Sequence, residues 1–285
     1  MKNTSGDNYG NVVKYKLYRS VYDILHPTIS KKNISNYKVV FDEGLLPVLV
    51  FYPKRVSNIE SVLIYIPSDG IVNDSYGKYT DICKRLAKET NSIVITIDYL
   101  DLTVKFSSVI NRVSKLIKFL YEELVKIDIR TENIVLVSDS VGCKIMGAVI
   151  KKLIDKNINI EKLVMLYPVV RDDYSSYCWD DTLINVNFNL NKRVNLYLEK
   201  NISKSSLGKY DLLDLVYFKN FPKTLIVTGD MDIFKYDGQL LGEGFSKNID
   251  GSKYVNIKFA CHGFLSSADE DVKMEAYKVI EEFVL

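Results

Sequence analysis

Residues 133–143 read Asn-Ile-Val-Leu-Val-Ser-Asp-Ser-Val-Gly-Cys, and the change of character within them decides the architecture. The first half is a short, continuous, β-branched run of the kind buried on both faces of a parallel sheet. It runs without a spacer into Ser138, Asp139, Ser140, Val141 and Gly142, and a helical pattern follows over Val141 to Asp155. A strand, a tight turn and a helix in direct succession is the context that lifts a nucleophilic serine above a sheet edge. Small residues two before and two after Ser140, here Ser138 and Gly142, let the backbone reverse without clashes. The same letters also suit a helix N-cap, with Ser140 or Asp139 accepting the orphan N–H groups of the first turn. Taken alone, the stretch leaves both readings open.

Working outward, the same rhythm repeats. SVLIYIP from Ser61, SIVITIDY from Ser92, KLVMLYPVV from Lys162 and TLIVTG from Thr224 are further buried-strand runs. Helical patterns over Tyr79–Thr90 and Phe106–Ile127 lie between them, and KYVNIKFA with a helix from Asp269 to Phe283 closes the chain. Ahead of these, a helix over Val12–Leu25 and two extended runs, YKVVF from Tyr37 and LLPVLVFYP from Leu45, predict an antiparallel pair opening the sheet. The alternation predicts an α/β fold with a doubly wound, mostly parallel sheet. Residues 171–218 break the rhythm with scattered aromatics and no strand, which predicts a helical insertion over the sheet's carboxyl ends. The expected organisation is a single domain over 1–285, with 1–35 and 171–218 as cap segments. Tyr177, Trp179, Phe188 and Tyr197 fall in the second of these, as packing residues or as pocket lining.

Composition narrows the classes of partner. With 38 Lys and Arg against 36 Asp and Glu, no net field favours nucleic acid or an anionic membrane over a small neutral ligand. The polar start, MKNTSGDNYG, and the lack of any apolar run long enough to span a bilayer predict a cytoplasmic protein with no membrane span. Cys83, Cys143, Cys178 and Cys261 show neither C-x-x-C nor metal-ligand spacing, so no metal and no cofactor is expected and the thiols are read as reduced. Self-association into a homo-oligomer stays open.

A serine is a poor nucleophile unless a base lies within hydrogen-bond reach and a third group orients that base. Only two histidines exist, His26 and His262. His262 follows the run KYVNIKFA, and Asp230 and Asp232 follow the run TLIVTG, so both kinds of partner sit in loops just after strands. The order is Ser140, then acid, then His262. At most one of the two acids can be the orienter.

These segments together resemble the hormone-sensitive-lipase-like group of α/β-hydrolases, which contains many carboxylesterases. The family's G-D-S-A-G-G corresponds to Ser138–Cys143, its G-x-x-D-x-L to Gly229–Phe234, its H-G-F to His262–Phe264, and its D-Y-R to Asp98–Leu100. The resemblance selects Asp232 over Asp230 and implies a catalytic set of Ser140, His262 and Asp232. It further implies an oxyanion hole built from the main-chain N–H groups of Asp69, Gly70 and Val141. Here the chain departs from the family: Y-x-H-G-G-G is replaced by Tyr65-Ile66-Pro67-Ser68-Asp69-Gly70, with only the last glycine kept. Ser68 and Asp69 cannot enter glycine-only backbone regions, and a carboxylate beside a developing oxyanion opposes it. The expected function is hydrolysis of a short-chain acyl ester through an acyl-enzyme on Ser140. The alternative is a hydrolase-fold protein that binds a small ligand with weak or no turnover.

Overall fold

The computed structural model describes residues 16–17, 34–41, 44–53, 61–68, 76–97, 106–174, 190–199 and 211–285. Nine strands form one sheet: β1 (Lys16–Leu17), β2 (Ile34–Phe41), β3 (Gly44–Phe51), β4 (Val62–Ile66), β5 (Ile93–Ile97), β6 (Ile134–Asp139), β7 (Lys162–Leu166), β8 (Lys223–Gly229) and β9 (Lys253–Ile257). Their order across the sheet is β1-β2-β3-β5-β4-β6-β7-β8-β9. β3 is antiparallel to both of its neighbours, and every pairing from β5 through β9 is parallel. Among the described residues six α-helices accompany the strands: α1 (Tyr76–Glu89), α2 (Phe106–Lys126), α3 (Gly142–Ile154), α4 (190–199), α5 (Lys235–Asn248) and α6 (Glu270–Val284).

Strands β4 to β8 are largely apolar because both faces are covered, and the pleat sends alternate residues to opposite layers. On β4, Val62, Ile64 and Ile66 join the buried cluster formed with α2, α3, α4 and α5, while Leu63 and Tyr65 join the cluster formed with α1 and α6. α2 reaches its layer through Val109, Ile110, Val113, Leu116, Ile117, Leu120 and Leu124, the three-and-four spacing of one helical face. α3 is buried nearly all round, as suits the helix leaving the middle of the sheet. α6 starts where Asp269 caps it, accepting from the N–H groups of Asp271 and Val272, an interaction worth about 1 kcal/mol.

The chain winds from β4 through α1 to β5 in one direction, then crosses by α2 to β6 on the other side of β4, and continues outward to β9. That reversal opens a crevice at the carboxyl ends of β4 and β6, where ligands bind in open α/β sheets. Register carries it to the residue: Ile66 pairs with Ser138, and Asp139 with Leu166.

One expectation needs correction. Within the helix predicted over Val12–Leu25, Lys16 and Leu17 are extended and pair in parallel with Tyr37 and Lys38; sheet hydrogen bonds outweigh local periodicity there. The remainder of that span lies outside the described residues. α5 is not among the helices expected from the sequence, and Gly238, Gly242 and Gly244 weaken the helical pattern there. No helix among the described residues is long and apolar enough to cross a membrane.

Candidate active site

Ser140 sits at the end of β6 with φ of 46°, a left-handed conformation that costs a non-glycine residue on the order of 1–3 kcal/mol. The surroundings over-determine it. Its N–H donates to Leu166 O at 2.9 Å, and its carbonyl accepts from Cys143 N and Val169 N, both at 3.2 Å. Gly142 is what allows the turn to lie against the neighbouring strand: a Cβ there would sit 2.8 Å from Ile66 O and 2.9 Å from Pro67 C. The N-cap reading of the motif does not hold in the form proposed. Val141 occupies the cap position of α3 with no side-chain cap, and Asp139 turns the other way, toward Ser68.

The Ser140 hydroxyl lies 2.8 Å from His262 Nε2, and His262 Nδ1 lies 2.8 Å from Asp232 Oδ2. With an ionised Asp232 accepting the Nδ1–H, the imidazole presents a bare Nε2 to the serine, which can then donate its proton. The second oxygen of Asp232 accepts from Phe234 N at 2.9 Å, so the carboxylate is held at both ends. The His262 and Asp232 side chains are 4% and 1% exposed, which shields the pair from competing water. Two rings steady the imidazole edge-on, Tyr167 at 5.1 Å and Phe234 at 5.3 Å.

Two loops from separate strands must be sewn together to make this pairing. Asp230 N donates to Ile257 O and Met231 N to Ala260 O, both at 3.0 Å, so the acid turn after β8 is bonded to the end of β9 and the chain that follows it. Gly229 lets them close: a Cβ there would stand 2.2 Å from Ala260 O. Asp230, the competing acid, contributes its backbone to this seam, and its carbonyl accepts from Lys235 Nζ at 2.8 Å.

Val141 lies at the N-terminus of α3, where helix N–H groups lack partners within the helix and the dipole favours negative charge. Its N–H makes no hydrogen bond to another described residue. Asp69 and Gly70, the other two groups assigned to the oxyanion hole, lie outside the described residues, as do Asp98, Tyr99 and Leu100. So do Tyr177, Trp179 and Phe188. Tyr197 on α4 packs against the larger core cluster.

Sequence reasoning missed a charged network on the insertion side of the site. Lys144, one turn into α3 and fully buried, donates to Val170 O at 2.6 Å and to Asp172 Oδ1 at 2.8 Å. Burial pushes its ammonium down, and Asp172 opposes that shift. Arg171 binds Asp237 on α5 in a two-pronged pair at 2.8 and 3.0 Å. Lys144 stands four residues after Ser140, but nothing in the one-dimensional order marks it as paired.

A parallel sheet with helices on both faces, and a strained serine hydrogen-bonded through histidine to aspartate at the reversal of strand order, are the architecture of an α/β-hydrolase. The family model for the alpha/beta hydrolase fold matches residues 63–266, and the chain belongs to that family. Vegetative-specific protein H5 of Dictyostelium discoideum is 23% identical over 273 residues, 87% of this chain and 78% of that protein. Among solved structures, a hyperthermophilic esterase from Pyrobaculum calidifontis superposes with a TM-score of 0.72 at 17% identity, covering 92% of this chain and 87% of that one. A thermophilic carboxylesterase cloned from a metagenomic library gives 0.67 at 19% identity, covering 92% of each chain.

Proposed function

We propose that the protein hydrolyses a short-chain carboxylic ester, or a related acyl compound, through an acyl-enzyme on Ser140. The observation that carries this reading is the unbroken hydrogen-bond chain from Ser140 Oγ through His262 to Asp232. His262 Nε2 takes the hydroxyl proton as Oγ attacks the acyl carbon, and Asp232 stabilises the imidazolium that forms. The carbonyl oxygen becomes an oxyanion, to which Val141 N–H donates together with the amides assigned by resemblance to Asp69 and Gly70. His262 then hands the proton to the departing alkoxide, leaving the acyl group on Ser140. Water, deprotonated by the same nitrogen, attacks the acyl carbon; the bond to Ser140 Oγ breaks, His262 returns the proton to Oγ, and the carboxylic acid leaves. In this reading the working location is the cytoplasm.

The test is labelling with a fluorophosphonate probe, which asks only whether Ser140 is activated. The native chain should label and Ser140→Ala should not, with its fold intact; full labelling of the variant would remove Ser140 from the role. A second reading, ligand binding with feeble turnover, draws on Ser68 and Asp69 standing where the resembled family has glycine. Under that reading Asp69→Gly should raise hydrolysis of a short-chain aryl ester several-fold, whereas under the first it should change it little.

A further inference from the structure

Tyr167, the residue that leaves β7, is 2% exposed and has φ of 37°, the left-handed region that Ser140 also occupies at the end of β6. Such a backbone is costly for a bulky side chain and persists only where the surroundings require it. Its N–H donates to Val227 O at 2.7 Å, which bonds the turn to β8. Its ring stands edge-on to His262 at 5.1 Å and to Phe264 at 4.8 Å. Its hydroxyl donates to Asp139 Oδ2 at 3.3 Å, and Asp139 is anchored in turn by Ser68 N–H, which donates to Oδ1 at 2.6 Å. Burial and then the charge of Asp139 push the Tyr167 phenol well up, which keeps it a donor. Tyr167 therefore joins the residue before the nucleophile to the base, from a strand that carries no member of the triad. The base needs such a support. Asp232 holds His262 at Nδ1 and Ser140 holds it at Nε2, but the second bond ends once Oγ is acylated and has no proton to donate. The imidazole must still hand its proton to the leaving alkoxide and take one from water. A ring held by one hydrogen bond can pivot about it, and a packed aromatic neighbour removes that freedom.

We propose that Tyr167 is a positioning residue for His262, a wall that keeps the imidazole in place once Ser140 is acylated, and that Asp139 acts through it by holding the phenol. Misplacing the base weakens proton transfer in the transition state and leaves ground-state binding of the ester untouched. The proposal rests on the acyl-enzyme reading for its consequence, although the placement of the imidazole can be measured without turnover.

His26 and His262 are the chain's two histidines, so in a His26→Gln background the imidazole nitrogen signals of an isotope-labelled protein belong to His262. Nitrogen shifts separate the two neutral tautomers by far more than the loss of a nearby ring moves them. The experiment pairs these spectra with hydrolysis of a short-chain aryl ester for Tyr167→Phe, Tyr167→Leu, Asp139→Ala and the double variant Asp139→Ala with Tyr167→Phe. The parent should show the Nδ1–H tautomer. Tyr167→Leu should give a mixture of tautomers and lower kcat about 100-fold, the scale of a misplaced catalytic group, with KM within about twofold. Tyr167→Phe keeps the ring and should recover all but a few-fold of that loss. Asp139→Ala should cost less in the Tyr167→Phe chain than in the parent, because the bond to the phenol is already gone there. The Nδ1–H tautomer alone in Tyr167→Leu would overturn the placement. A mixture with native kcat would overturn its role in the reaction, as would a loss carried by KM, and strictly additive losses would remove Asp139 from it. If Tyr167→Leu fails to fold, the more adaptable Tyr167→Met decides by the same criteria, and Asp139→Asn likewise stands in for Asp139→Ala. A parent chain that hydrolyses no ester would count against the acyl-enzyme reading alone, since the tautomers still decide the placement.

Discussion

His262 turns its Nδ1 to Asp232, at 2.8 Å, although Asp230 stands two residues away on the same turn. Asp232 is 1% exposed and its other oxygen is fixed by Phe234 N, so its carboxylate has one orientation to offer. Asp232→Asn should therefore lower kcat on the order of 10³- to 10⁴-fold by setting the wrong tautomer of the imidazole. Asp230→Asn should stay within about threefold, because it is the backbone of Asp230 that serves the site. Steady-state kinetics of the two variants give the ranking, and the reverse order would move the orienter to Asp230.

Gly229 supplies the closest approach in this seam. The atom that a Cβ would meet, Ala260 O at 2.2 Å, belongs to the backbone and cannot swing aside. Gly229→Ala should push the loops of Asp232 and His262 apart, lowering kcat more than about 100-fold while the sheet still folds. Circular dichroism beside aryl-ester kinetics separates the two effects, and native activity in this variant would show the seam to be compliant.

Lys144 places a charge in the core, where removing one partner of a buried pair costs about 3–5 kcal/mol. Lys144→Ala would take the ammonium away from the Asp172 carboxylate, 13% exposed, and from the Val170 carbonyl. Urea denaturation should show a loss of about 3 kcal/mol. A change below about 0.5 kcal/mol would mean that water replaces the ammonium.

Burial of Asp139 gives stability a pH dependence. Its folded-state pKa is raised, chiefly by burial, so between the unfolded and folded values the native state binds more protons than the unfolded chain. Its contribution is full below the unfolded value and is lost as pH rises through the folded one. Tyr65, Cys83, Cys143 and Tyr167, which face it, are pushed up out of that range by burial, and His262 attracts the carboxylate when protonated. The stability advantage of the native chain over Asp139→Asn should accordingly shrink from acid toward neutral pH in urea titrations. An advantage that grows instead would mean that the Ser68 and Tyr167 donors outweigh burial.

Local order carries much of this protein. Runs such as Ile134–Val137 and Leu225–Val227 are apolar on both faces, a pattern that only a covered parallel sheet satisfies, and strand-turn-helix order alone raises Ser140 as a candidate. The chain order of Ser140, the acids and His262 is likewise legible, because each follows a strand. What one dimension hides is contact across distance. Lys16 and Leu17 are extended because a neighbouring strand offers them hydrogen bonds, and α5 is a helix despite three glycines because β8 and β9 give it a surface to pack on. Asp139 looks like a helix cap until Ser68, 71 residues away in sequence, is seen to claim its carboxylate. Periodicity records which residues avoid water, so the sequence by itself determined the layers of the fold. Pairing of buried polar groups depends on which segments the sheet order brings side by side, and that only the tertiary structure decided.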